Sequence, residues 1–166
     1  ARLRTTFNSN PMGFGQYAQV TGGNKRVYFG VSGSYKDYND YKDGYGNSVS
    51  SSFRKYNYSA DLAVVPVKNH ELLFSFHQNM ARDLKFPALM MDEIEDNTTL
   101  LSMDYTINPV GNPIRKAVVK LFHSDVFHNM DNSFRKVYSE VVPPNKGKMQ
   151  SVALVDATYT GGRVDM

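Results

Sequence analysis

The chain has 166 residues, of which 41% are hydrophobic, with 11 Tyr, 10 Phe and no Trp, a balance that fits one domain or part of one and favours strands over helices. Nineteen basic against 16 acidic residues leave a net charge of +3, and these are scattered singly along the chain, so nucleic acid is not an expected partner. Cysteine is absent, which removes disulfides, thiolate zinc sites and cysteine nucleophiles, and no apolar run reaches the roughly 18 residues of a membrane helix.

From the N-terminus, Ala1 to Asn8 has no clear period. Gln16 to Thr21 and Lys25 to Tyr35 read as strands around the turn Gly22-Gly23-Asn24, with Val27, Phe29, Val31 and Tyr35 sharing one face. Phe53 to Val65 puts Tyr56, Tyr58, Ala60, Leu62 and Val64 on one face and Lys55, Asn57, Ser59 and Asp61 on the other. Across the short connection 66–70, Leu72 to Arg82 sets Leu72, Phe74 and Phe76 against Ser75, His77 and Asn79. Thr99, Leu101, Met103, Tyr105 and Ile107 then alternate with Ser102, Asp104, Thr106 and Asn108 before a turn at 108–113 and a strand Ile114 to Phe122. A last strand covers Ser151 to Thr160, giving about seven in all.

The connections alternate, with tight turns at 22–24, 66–70 and 108–113 and long polar stretches at 37–52, 83–97 and 124–150. In an all-β antiparallel up-and-down meander this places the short turns at one end and the long loops at the other, the layout of outer-membrane barrels. Tyr35, Phe53, Tyr56 and Tyr58 fall near the long-loop end and Tyr105 near the other, where interfacial aromatics belong. On this reading Tyr56, Tyr58, Leu62, Phe74, Phe76, Leu101 and Met103 face lipid, while Lys55, Asn57, Asp61, His77 and Asp104 face the lumen. The same alternation also fits a soluble envelope β-sandwich that binds carbohydrate through Tyr38, Tyr41 and Tyr45.

Three stretches carry a resemblance. Tyr41-Lys42-Asp43-Gly44-Tyr45-Gly46-Asn47-Ser48-Val49 with Phe53-Arg54-Lys55-Tyr56, Phe86 to Asp92 with Asp96 and Leu101-Ser102-Met103-Asp104-Tyr105, and His128-Asn129-Met130-Asp131-Asn132 resemble the TonB-dependent outer-membrane receptors, and within them the copper-associated subgroup. The resemblance implies that residues 1–166 are a portion of a 22-stranded transmembrane barrel, with the plug and remaining strands absent. It also implies the outer membrane of a Gram-negative bacterium, contact with its lipid, energy coupling to the TonB complex through the missing plug, and import of a scarce small ligand, metal ion or metal chelate. A cut-out sheet of this kind is expected to self-associate through its edges or apolar face.

For chemistry, no nucleophile elbow, His-Glu-x-x-His motif or phosphate loop occurs, and no enzyme site or resident cofactor is expected. Imidazole and thioether groups suit copper as a transported ligand. The candidates are His128 with Met130 first, then Met90, Met91 and Asp92, the last in an acidic run with Glu93, Glu95 and Asp96. The plain alternative is that Met90 and Met91 pack a loop, the histidines are surface polar groups and the acidic run is a solvated loop face.

Overall fold

The computed structural model describes residues 1–109, 116–133 and 151–166. Its strands are β1 (Arg2–Ser9), β2 (Met12–Gly23), β3 (Val27–Tyr38), β4 (Tyr41–Lys42), β5 (Ser48–Val49), β6 (Phe53–Val64), β7 (His70–Leu84), β8 (Asp92–Ile107), β9 (Ala117–Asp131) and β10 (Val152–Asp165). Eight of them form one sheet in the order β1-β2-β3-β6-β7-β8-β9-β10, and β4 and β5 make a small hairpin of their own. Every pairing is antiparallel and joins neighbours in that order, so the sheet is a meander without crossovers.

The register sorts the side chains. Phe29, Leu62, Phe74, Met103 and Leu121 form one cross-strand row, and Val31, Ala60, Phe76 and Leu101 the next. Tyr56, Tyr58, Leu62, Phe74, Phe76, Leu101 and Met103 therefore share a face, while Lys55, Asn57, Asp61, His77 and Asp104 share the opposite one. The polar face hydrogen-bonds within itself across strands. Ser32 and Ser59 meet at 2.7 Å, Asn57 Nδ2 donates to Ser34 at 2.9 Å, Ser75 donates to Asp61 at 2.7 Å, and Lys120 pairs with Asp104 at 2.9 Å. The middle of the opposite face carries hydrocarbon instead, and Phe29, Leu62, Phe74, Leu101 and Leu121 stay exposed.

The apolar band runs obliquely to the cross-strand rows. The row that holds Val31, Ala60, Phe76 and Leu101 turns polar at His123 and Thr160, where His123 Nδ1 lies 2.7 Å from Thr160 Oγ1 and Asp125 accepts from Thr158 at 2.8 Å. Toward β1 the band instead climbs into an aromatic run, Phe7, Phe14, Tyr35 and Tyr56, with successive centroids 6.5, 5.5 and 4.9 Å apart. Such a drift is what tilted strands need if a level boundary is to cross all of them.

Several sequence expectations change. The N-terminal stretch unassigned above forms β1, Arg2–Ser9, joined to β2 by the two-residue turn Asn10-Pro11 with a cis bond. That tight turn lies at the long-loop end, so short and long connections do not strictly alternate. The connection placed at 83–97 shrinks to 85–91, because β7 runs to Leu84 and β8 starts at Asp92. β9 likewise continues to Asp131 and β10 to Asp165. Ile114, the turn residues 110–113 and Phe134 to Gln150 lie outside the described residues. The β-sandwich alternative needs a second sheet over the apolar face, and among the described residues the second sheet is only the two-residue hairpin β4–β5. The tyrosines it relied on are dispersed, with Tyr38 ending β3, Tyr41 starting β4 and Tyr45 94% exposed at a loop tip.

The β3–β6 loop is held by its own polar groups. Asp40 Oδ1 accepts from the amides of Ser51 and Ser52, both at 2.9 Å, and its other oxygen lies 3.9 Å from Lys85 Nζ. Asn10 clasps the Lys42 backbone, accepting from its amide and donating to its carbonyl, each at 2.7 Å. Asp43 accepts from Tyr45 and Asn47 amides at 2.9 Å, an Asx turn closed by Gly46 at φ 86°.

Candidate functional site

On the polar face near the long-loop end, the β8–β9 register sets Asp96 opposite His128 and Glu93 opposite Met130. Simple alternation would put Glu93 and Asp96 on opposite faces. A bulge between Glu93 and Glu95 inserts one residue and returns Glu93 to the side of Asp96. One ligand atom from each of Glu93, Asp96 and His128 then lies within 4.8 Å of the others, a spacing that could hold a metal ion. Glu93 is buried at 7% exposure, and Asp96 and His128 are half-buried, their side chains 29% and 28% exposed.

Asp96 Oδ2 stands 3.4 Å from His128 Nδ1. A carboxylate there favours the tautomer with hydrogen on Nδ1 and leaves the Nε2 lone pair free for a metal. Met130, two residues along the same strand, leaves the backbone on the same face as His128, about 7 Å from it at Cα, and its thioether is a soft donor. The donor set of imidazole, thioether and carboxylate accommodates a borderline or soft divalent or monovalent cation, with copper favoured by sulfur and nitrogen.

The remaining candidates are placed differently. Asp92, the first residue of β8, is fully buried and accepts from the Phe86 amide at 2.8 Å, which fixes the 85–91 turn. Met90 is 62% exposed and Met91 half-buried in that same turn. Neither is paired by the ladder with His128 or Met130. In the sequence Glu93 reads as part of an acidic run, and Asp96 as part of that run and of the resemblance, because their grouping with His128 depends on a bulge and on a partner 32 residues from Asp96.

No family model matches the sequence, and no curated protein matches it. Among solved structures, the copper transporter OprC superposes with a TM-score of 0.80 over 98% of this chain, at 22% sequence identity. The chain spans 24% of that protein's length. At this identity the likeness is one of fold, an all-β antiparallel meander that matches a portion of that larger chain.

Proposed function

We propose that this sheet is part of the wall of a transmembrane β-barrel in the outer membrane of a Gram-negative bacterium. Its exposed apolar band meets lipid, and its polar face lines a lumen through which a metal ion, copper by donor chemistry, is imported. His128 and Met130 bind the metal, with Asp96 orienting His128 and Glu93 supplying charge. In this reading the protein is a receptor of the TonB-dependent kind, coupled to its energy source through a plug. The 166 residues are one portion of the barrel.

The observation that carries the reading is the register, which gathers an imidazole, a thioether and two carboxylates on the polar side of a sheet whose other side is uncovered hydrocarbon. The name of the similar copper transporter agrees with it. The test is a Cu(I) competition titration of the full-length protein in detergent. Replacing His128 and Met130 together by Ala is expected to lower affinity by more than roughly tenfold, since even outer-shell partners of metal ligands cost that much. Unchanged affinity would return both residues to ordinary surface roles.

A further inference from the structure

The polar face has a second feature, at the opposite side of the sheet from the His128 cluster. The ladder aligns Arg4, Tyr17 and Ser34 in one row and Thr6, Gly15, Lys36 and Lys55 in the next, with Arg2 one row further along. Gly15 leaves a hollow between these side chains. A Cβ built there would stand 3.3 Å from the Tyr38 hydroxyl, so the tyrosine closes one end of the hollow. Arg2, Arg4 and Lys36 line it, together with Tyr17, Ser34 and Tyr38, and no Asp or Glu does.

That charge is unbalanced by comparison with the rest of the sheet. Arg54 and Arg82 also stand directly opposite one another, yet each is matched by a carboxylate, Asp83 for the first and Glu95 for the second. Lys120 and Arg163 likewise sit on Asp104 and Asp165. Lys36 faces Lys55 across the ladder; Lys55 leans over the Phe53 ring at 6.0 Å and is felt by the Glu93 carboxylate, whereas among the described residues no ion pair neutralises Lys36. Like charges directly opposite destabilise a strand pair, and a bound anion would relieve this. Arg4 and Lys36 lie on strands two spacings apart, roughly 10 Å, which two long side chains can close upon a small ligand.

We propose that this hollow is a binding site for a small multivalent oxyanion, one carrying phosphate or carboxylate oxygens. The Arg4 guanidinium and the Lys36 ammonium hold the charge, Arg2 stands at the rim, and the hydroxyls of Tyr17, Ser34 and Tyr38 donate hydrogen bonds. Ionised partners make the stronger hydrogen bonds, and a guanidinium can present two donors to one such group. The inference needs only the polar face of the sheet and does not rest on the metal reading.

Calorimetric titration of the full-length protein in detergent at low salt, with inorganic phosphate in one arm and citrate in the other, tests it. Saturable binding of at least one anion is expected, and the stronger arm tells phosphate from carboxylate. Arg4→Met and Lys36→Met should each weaken it roughly tenfold, the worth of one hydrogen bond to a charged group. Tyr17→Phe, which deletes a hydroxyl and keeps the ring, should weaken it less, and a His128→Ala variant should bind the anion as before. If a charge variant fails to fold, Tyr17→Phe still reports on the hollow. Failure of the wild type to bind either anion, as when an acidic stretch of the same protein fills the hollow, would overturn the proposal. Equal affinity in the Arg4, Lys36 and Tyr17 variants would do the same.

Discussion

Single side chains decide where this sheet is pinned and where it can do chemistry. Asp40 pins the longest described loop. Burial alone would raise its carboxyl pKa, but the Ser51 and Ser52 amides and Lys85 outweigh burial, and the net direction is downward. A carboxyl lowered in the folded state contributes stability above its unfolded pKa and loses it as pH falls through the folded value. Amide exchange at Ser51 and Ser52, corrected for intrinsic rates, should therefore stay protected near neutrality and open up below about pH 4. Asp40→Ala should open both amides by roughly tenfold at neutral pH. A protection ratio that stays flat into acid would show that these hydrogen bonds do not hold the loop. At the candidate metal centre, Asp96 contacts His128 and acts through it. Asp96→Asn should cost roughly 10–100-fold in Cu(I) affinity if the carboxylate sets the tautomer, and a variant that titrates like the wild type removes that role.

For the individual strands, legibility in sequence followed the reach of the apolar band. β3, β6 and the first half of β7 alternate strictly because one face is apolar along most of their length, and their sequence pattern marks them nearly to their ends. The outer half of β8, Asp-Glu-Ile-Glu-Asp-Asn-Thr, and the outer half of β9 carry polar groups on both faces. They project past the band, where backbone pairing suffices and neither face must be apolar, so they resembled loops. β10 runs past the expected end at Thr160 through Gly161-Gly162, where the Phe122 ring lies against Gly161 and fills the space of the missing side chain. His128 was legible as a ligand type, whereas its companions Glu93 and Asp96, and the basic hollow on β1 to β3, exist only once the register is known. The alternation itself makes a prediction within β6, where Leu62 and Asp61 are adjacent but oppositely directed. Leu62→Arg puts a charge on the apolar band, a change of roughly 2–4 kcal/mol near a bilayer midplane. Asp61→Arg stays on the polar face, where Asp61 already accepts from Ser75. Heat-modifiable gel mobility of the full-length protein should show impaired assembly for the first and normal assembly for the second. Equal behaviour of the two variants would contradict the two-faced reading.

At the scale of the whole sheet, the described residues enclose almost no hydrophobic interior. Among the described residues the buried hydrophobic side chains are Ala63, Ala81 and Leu84, far too little to hold eight strands together in water by burial alone. The large apolar side chains, Phe29, Leu62, Phe74, Leu101 and Leu121 among them, point instead to an uncovered face. Among the described residues β1 and β10 each have a sheet neighbour on one side only, leaving two rows of ladder groups open to pairing. Something must cover the face and close the edges. Lipid or detergent can do the first, and further strands or a second copy the second. The 166-residue chain placed in plain buffer should therefore aggregate, by edge pairing or by burying the face. In micelles it should gain strand content, and a spin label at residue 62 should be quenched by a membrane-dissolved relaxant while one at residue 61 responds to a water-soluble one. Light scattering and circular dichroism in buffer provide the opposing result. A monodisperse monomer with full strand content, and no contrast between positions 61 and 62, would mean that the apolar face is satisfied without lipid and that the barrel reading is wrong.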